Sequence, residues 1–179
     1  MAKEKRSKGH VEHSKAADEQ KGLAGEFRRP IKVTFLGAGS GFTPHLFSDV
    51  LQIPGRKKVE FALVDIDKKR LNTMHKLCRK VAEKRGVDPD NVKATTNRRE
   101  VLPGSDYIIN CIEVSGVECV KFDYEIPKKY GVDQCIGDTI GPGGLFKGLR
   151  TIPVFLDVLS DAEELCPDAL VLNYTNPMN

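Results

Sequence analysis

The sequence lacks the cysteine pattern of a disulfide-stapled or zinc-binding protein. Its five cysteines are odd in number, form no C-x-x-C pair and mostly lie within apolar runs. Cysteines of this kind are typical of reduced thiols in a cytoplasmic protein. The cytoplasm is therefore the expected compartment, and all five thiols are expected to be free: Cys78, Cys111, Cys119, Cys135 and Cys166.

The sequence also lacks a long apolar run. No stretch approaches the ~20 apolar residues that a membrane span needs. The basic first residues are not followed by the apolar core of a signal peptide. We therefore expect neither secretion nor a membrane partner.

Most of the chain has no excess of one charge sign. The net charge is +3, and residues 1–30 hold eight Lys and Arg against five Asp and Glu, which leaves twenty of each sign in residues 31–179. A neutral body argues against a nucleic-acid-binding face. Residues 1–30 are almost free of aromatic and β-branched residues, so we expect a disordered charged lead followed by one domain over residues 31–179.

Residues 31–179 alternate between buried strands and amphipathic helices. This alternation across short turns predicts a Rossmann-like α/β fold, which is a doubly wound parallel sheet with helices on both faces. The predicted strands are IKVTFLG, VEFALVD, VKATT, DYIINCIEV and ALVLNYTNP. The predicted helices are TPHLFSDVLQI, IDKKRLNTMHKLCRKVAEKRG, CVKFDYEIPKKYG as far as Pro127, and LFKGLRTIPVFLDVLSDAEELCP with a kink or break at Pro153.

A glycine loop after the first strand is the strongest chemical signal. Gly37 and Gly39 follow a strand and open a helix, where backbone N–H groups can hold a pyrophosphate. The third position of G-x-G-x-x-G is Phe42, so the pattern alone is incomplete. Asp65 ends the next strand, where a carboxylate can accept from both adenosine ribose hydroxyls and repels a 2′-phosphate. The pattern favours NAD over NADP, with a tight turn and an acidic helix cap as the alternative.

Other polar residues carry weaker signals. His10 and His13 form an H-x-x-H pair in the charged lead, where a solvated role is the better interpretation. Cys111 has no histidine nearby in sequence and is expected to be a core residue. Asp67 is expected to cap the second helix, and the DAEEL run near Glu163 to form a solvated helix face.

The stretches VTFLGAGSGFT, ALVDID and DYEIPKKYGVDQCIGDTIGPGGLFKGLRTIPVFLDVLSDAEELCPDALVLNYTNPM resemble glycoside hydrolase family 4 from about Ile31 to Met178. The resemblance is stronger to the α-galactosidase and α-glucosidase-like members than to the 6-phospho-glycosidases. In that family phenylalanine is usual at the Phe42 position, which removes the objection to the glycine loop.

The resemblance implies an unusual glycosidase chemistry. Members of the family bind NAD and a divalent metal, commonly Mn²⁺, and cleave α-glycosides by redox-assisted elimination instead of with two carboxylates. Hydride leaves C3 of the sugar for NAD, and the resulting ketone acidifies the C2 proton. A base then removes this proton and the C1 leaving group departs, because a C–H bond becomes acidic beside a metal-polarised carbonyl.

The resemblance also assigns residues. The phosphate loop is expected at Gly37, Gly39, Ser40, Gly41 and Phe42, and the ribose carboxylate at Asp65. Asn176 matches an asparagine directed at the sugar, and Asp138 and Thr139 match a loop that borders the substrate pocket.

Two departures from the family pattern stand out. Ser115 replaces one of a pair of glycines after the fourth strand, and Asn179 replaces a small apolar residue. The family's metal ligands and its tyrosine base lie beyond the NPM motif, so no catalytic residue and no metal ligand is assigned within this chain. We expect a truncated member that is inactive alone, whose partner is a complementing chain or a second copy.

Two other functions stay open from the sequence. One is a fragment of a lactate/malate-type NAD-dependent dehydrogenase, since the nucleotide half of such enzymes follows the same strand and glycine pattern. It lacks support because no catalytic His–Asp pair or substrate arginine motif is evident. The other is a non-catalytic NAD-binding module, which predicts cofactor binding without turnover.

Overall fold

Five parallel strands form the centre of the molecule. The computed structural model describes residues 26–116, 118–135 and 137–176. Within them the strands follow the spatial order β3-β2-β1-β4-β5, which is the order of the first five strands of a dinucleotide-binding fold. The strands are β1 (Ile31–Leu36), β2 (Val59–Val64), β3 (Val92–Thr95), β4 (Tyr107–Asn110) and β5 (Leu170–Asn173).

The strand register aligns the carboxyl ends of the strands at one edge. Leu36 pairs with Val64 on one side and with Asn110 on the other, and Asn110 pairs with Asn173. The residues that follow these strands therefore emerge side by side. In open parallel sheets ligands bind at this edge, where the strand order reverses between β1 and β4.

Two helices cover one face of the sheet, α1 (Thr43–Val50) and α2 (Lys68–Lys84). The Phe47 ring of α1 packs against the Phe61 ring of β2 in a tilted arrangement, with ring centroids 4.4 Å apart. Leu71 and Cys78 of α2 are buried in the same cluster. These contacts arise because alternate residues of a strand point to the same face.

The other face is covered by a long helix, α4 (Pro142–Leu165), which follows the shorter α3 (Glu118–Lys129). Val158 and Ala162 of α4 pack against Leu36 and Ile108 of the sheet. Helices thus lie on both faces, and the predicted doubly wound α/β fold is confirmed.

The prolines interrupt the helices less than the sequence suggests. Pro153 lies inside α4, which continues without a break from residue 142 to residue 165. Pro127 lies inside α3, which ends two residues later. Because Pro127 has no N–H to offer the carbonyl of Asp123, that oxygen accepts from the side-chain amide of Gln134 at 3.3 Å instead.

Residues 26–30 are attached to the domain, although they fall in the lead predicted for residues 1–30. The Phe27 N–H donates to the carbonyl of Pro54 at 2.8 Å, and the Phe27 ring packs against the core. Arg29 forms an ion pair with Asp106 at 2.6 Å. The packed part of the chain therefore begins earlier than the composition indicates, and residues 1–25 lie outside the described residues.

Among the described residues, none of the helices combines the length and apolar character that crossing a membrane requires.

Candidate functional site

The loop after β1 needs glycine at two positions. Gly37 has φ +73°, and a Cβ placed on it would lie 2.5 Å from the carbonyl oxygen of Cys111. A Cβ on Gly39 would lie 2.8 Å from a carboxylate oxygen of Asp65. The loop therefore passes against the ends of both β4 and β2, which larger residues would prevent.

Asp65 is bound to the loop that lies 26 residues before it. Its Oδ2 accepts from the Gly39 N–H at 2.7 Å, and its Oδ1 accepts from the Asp67 N–H at 2.8 Å. Each carboxylate oxygen can accept a further hydrogen bond. The arrangement fixes the carboxylate beside the glycine loop and leaves acceptor capacity for the hydroxyls of a ribose.

The end of the loop is open towards the amino end of α1. The Ser40 N–H closes a turn by donating to the carbonyl oxygen of Gly37 at 3.0 Å. The Ser40 hydroxyl oxygen accepts from the Phe42 N–H at 3.2 Å. An added Cβ on Gly41 would meet nothing within 4 Å. The Gly41 N–H has no partner among the described residues. This free donor at a helix amino terminus suits the pyrophosphate of a dinucleotide.

Phe42 does not serve as the close spacer that the third glycine of the fingerprint provides. It precedes α1 and is 71% exposed, so its ring points away from the packed helix and strand. The structure therefore accommodates phenylalanine at this position without crowding the sheet.

The three residues predicted on the substrate side meet in one hydrogen-bonded cluster. The Asn176 side-chain amide donates to Asp138 Oδ2 at 2.6 Å. The Thr139 hydroxyl donates to Asn176 Oδ1 at 2.7 Å. Residues 37 positions apart in sequence thus form a continuous polar surface next to the end of β5.

Asn110 is a site residue that the sequence analysis missed. It is fully buried at the end of β4, and its Nδ2 donates to Asn173 Oδ1 at 2.8 Å and to the Thr175 hydroxyl at 2.9 Å. The Thr175 hydroxyl donates in turn to the carbonyl of Ile112 at 3.2 Å. These bonds place the segment that carries Asn176. The available signal was a polar residue closing an apolar strand.

The loop after β4 contains two unusual features. Ser115 has φ +70°, in the left-handed region that favours glycine. Glu113, in the same loop, lies 3.1 Å from Nζ of Lys147, a lysine of α4 that is only 6% exposed. The ion pair ties the loop to α4.

The weaker candidates have structural environments. Asp67 caps α2 by accepting from the N–H groups of Lys69 and Arg70, as predicted. Cys111 follows β4 and is half-buried, and burial raises the pKa of its thiol, which disfavours a thiolate nucleophile. Glu163 is exposed on α4. His10, His13 and Asn179 lie outside the described residues.

A metal site cannot be assembled from the described residues. Among residues 26–116, 118–135 and 137–176, no three His, Cys, Asp or Glu side chains lie in a group that could hold a metal ion. The glycine loop, in contrast, combines a close backbone approach, a free N–H and a carboxylate, an arrangement suited to a dinucleotide.

Comparison with known proteins identifies the relatives of this chain. The sequence pattern of Family 4 glycosyl hydrolase matches residues 32–179. An alpha-galactosidase of Rhizobium meliloti (strain 1021) is 47% identical over 149 residues, covering 82% of this chain and 30% of that protein. A 6-phospho-alpha-glucosidase from gut microorganisms, solved in complex with NAD and glucose-6-phosphate, has a TM-score of 0.72 at 31% identity, over 83% of this chain and 35% of that one.

A 6-phospho-alpha-glucosidase from gut microorganisms solved with NAD and Mn²⁺ shares the fold, with a TM-score of 0.73 at 24% identity over 83% of this chain and 34% of that one. The chain spans about a third of the length of these relatives. The family match extends over most of the chain and decides against a dehydrogenase assignment. The chain belongs to glycosyl hydrolase family 4.

Proposed function

We propose that this chain is the NAD-binding part of a family 4 glycosidase that cleaves α-glycosides by redox-assisted elimination. The observation that carries the proposal is the 2.7 Å hydrogen bond between the Gly39 N–H and Asp65 Oδ2, which joins the glycine loop to the carboxylate of the next strand. A structural turn needs only the glycines. A carboxylate held beside them at the carboxyl edge of a parallel sheet is the arrangement of a nucleotide site.

The glycine loop binds the pyrophosphate of the dinucleotide, and Asp65 binds its adenosine ribose. The Gly41 N–H and the amino end of α1 hold the pyrophosphate through hydrogen bonds and the helix dipole. Asp65 accepts from the ribose hydroxyls and repels a 2′-phosphate, which selects NAD. Gly37 allows the loop to pass beneath the dinucleotide against the end of β4.

The cluster of Asp138, Thr139 and Asn176 orients the sugar. Its carboxylate, hydroxyl and amide groups are the donors and acceptors that sugar hydroxyls require. NAD, when bound, supplies an acceptor for hydride from a sugar carbon. Asn110 and Thr175 act behind the cluster, because their hydrogen bonds fix the backbone that carries Asn176.

The described residues hold no group of His, Cys, Asp or Glu side chains that could bind a metal ion, and no catalytic base is assigned among them. We propose that the chain alone binds NAD in the cytoplasm without turning over a glycoside.

The proposal is tested by titrating NADH into the purified chain and following nicotinamide fluorescence and its polarisation. Saturable binding is expected, and Asp65→Ala should weaken it about 10- to 100-fold, because hydrogen bonds to a charged group contribute about 1.5–3 kcal/mol. The matched control is Asp67→Ala. It removes a carboxylate two residues away that caps α2, so it should cost about 1 kcal/mol of stability and leave NADH affinity nearly unchanged.

Three results would contradict the proposal. Absence of NADH binding by a folded chain would contradict the nucleotide site. An equal loss of NADH affinity in Asp65→Ala and Asp67→Ala would contradict the role of Asp65 in it. Hydrolysis of a nitrophenyl α-galactoside by the chain alone, with NAD and Mn²⁺ present, would contradict the proposal that this chain does not turn over a glycoside by itself.

A further inference from the structure

Arg70 lies against the same glycine as Asp65. A Cβ placed on Gly39 would lie 2.9 Å from Cβ of Arg70 and 2.8 Å from Oδ2 of Asp65. Arg70 stands in the first turn of α2, where its N–H donates to the capping carboxylate of Asp67 at 3.0 Å. The stem of this arginine is thus fixed beside the place that the ribose would occupy.

The guanidinium group of Arg70 is not used by the fold. It makes no hydrogen bond and no ion pair with any residue that the structure describes. Asp65 forms no ion pair with this guanidinium in the described part of the chain, and its carboxylate oxygens accept from the N–H groups of Gly39 and Asp67. Other arginines of the chain bind carboxylates through their guanidinium groups: Arg29, Arg79, Arg98, Arg99 and Arg150.

We infer that Arg70 is a specificity-determining residue of the adenosine subsite, a latent 2′-phosphate site that the charge of Asp65 keeps unused. The inference rests on the proposed nucleotide site and extends it. A planar guanidinium binds a phosphate with two parallel hydrogen bonds, and an arginine near the ribose is how related folds accept NADP. The chain already carries the cation, so discrimination against a 2′-phosphate depends on the carboxylate alone.

The test removes the charge of Asp65 and then the cation. Asp65→Asn keeps a side-chain oxygen that can accept one of the two backbone N–H groups. NADPH should bind this variant about tenfold or more tightly than it binds the unchanged chain, a gain of one charge-assisted contact. In the double variant Asp65→Asn with Arg70→Met the gain should disappear, while NADH affinity stays within about threefold of the single variant.

Lys69→Met in the Asp65→Asn background is the matched control. It removes an equal charge from the same turn of α2, and its stem is not among the atoms nearest to Gly39. This variant should keep most of the NADPH gain. An equal loss with Lys69→Met and Arg70→Met would reduce the effect to general charge and overturn the inference.

The outcomes separate the inference from the proposed function. If the unchanged chain folds and binds no NADH, both fail. If it binds NADH, but Arg70→Met leaves NADPH binding by the Asp65→Asn variant unaltered, only the inference fails.

A second variant serves if circular dichroism shows that Asp65→Asn does not fold. Asp65→Ser removes the same charge and keeps a shorter acceptor, so NADPH should bind this variant more tightly than it binds the unchanged chain, and adding Arg70→Met should abolish the gain. An NADPH gain that survives Arg70→Met in this background would overturn the inference.

Discussion

Gly37 and Gly41 lie four residues apart in one loop but differ in what a side chain would meet. Gly37 has φ +73°, and an added Cβ would approach the Cys111 carbonyl to 2.5 Å, whereas Gly41 faces open space. Gly37→Ala should therefore lower the free energy of unfolding by about 2 kcal/mol or more, from the left-handed backbone and the forced displacement of β4. Urea unfolding measures this change.

Gly41→Ala is the control for the loss of glycine flexibility. It should change the free energy of unfolding by less than about 1 kcal/mol, because the position has room and no positive φ. If the two alanine variants were equally stable, the close approach of the loop to β4 would be wrong.

At the scale of elements, α4 is held to the turn after β3 by a group of ion pairs. Asp161, largely buried on α4, accepts hydrogen bonds from Arg98 and Arg99, and these arginines also bind Asp157 and Glu164. Burial acts to raise the pKa of Asp161, but the hydrogen bonds and charges of the two arginines outweigh it and hold the pKa below its ordinary value.

This lowered pKa determines a pH dependence. A carboxyl group with a lowered folded-state pKa stabilises the fold above its unfolded-state pKa of about 4, and the contribution is lost as the pH falls through the folded-state value. Asp161→Asn should therefore be less stable at pH 7, and its stability should fall less steeply below pH 4 than that of the unchanged chain.

Urea unfolding over a series of pH values tests the expectation. Glu164→Gln is the comparison, because within the part of the chain that the structure describes this exposed carboxylate pairs with Arg99 alone, and exposed pairs contribute little. Parallel pH profiles for the unchanged chain and Asp161→Asn would show that the group is not the source of acid sensitivity.

The elements with strong local signals were predictable from sequence. Asp67 and Gly86 marked the two ends of α2 because a capping carboxylate and a left-handed glycine act locally. The break that the sequence allowed at Pro153 does not occur, because Pro153 lies on the exposed side of α4 and the helix continues past it. Leu77, an apolar residue of α2, is 41% exposed, because burial depends on tertiary packing and not on residue type alone.

The candidate site was predictable only in part. Glycines and an acid after successive strands lie close together whenever the sheet is parallel, so Gly39 and Asp65 could be paired from their order alone. The role of Asn110 depends on contacts with Asn173 and Thr175, more than sixty residues away, and no local pattern specifies such contacts.

At the scale of the whole molecule, α3 and α4 expose one continuous apolar surface. Leu145, Leu149, Ile152 and Leu156 follow one side of α4 at helical spacing and are 57–62% exposed. Phe122 and Ile126 of α3 line a shallow concavity with Phe146 and Leu149. In the first half of the chain, exposed large apolar residues of the described part are scattered singly: Phe42, Ile66 and Leu77.

This row of exposed apolar side chains favours association, because large contiguous apolar patches on soluble proteins mark sites of contact with other molecules. The chain alone is expected to self-associate as its concentration rises, and Leu149→Lys should shift it towards the monomer. Leu149 is 61% exposed, so the substitution leaves the core intact. Light scattering and sedimentation over a concentration series measure the association.

Leu77→Lys provides the matched control, since it introduces the same charge at an exposed leucine of α2 outside the surface. Its association should equal that of the unchanged chain. A monodisperse monomer for the unchanged chain at high concentration would show that water tolerates this surface. If both lysine variants reduced association equally, the cause would be the added net charge. If the apolar surface is the contact, only Leu149→Lys should reduce association, because only this lysine lies within the surface.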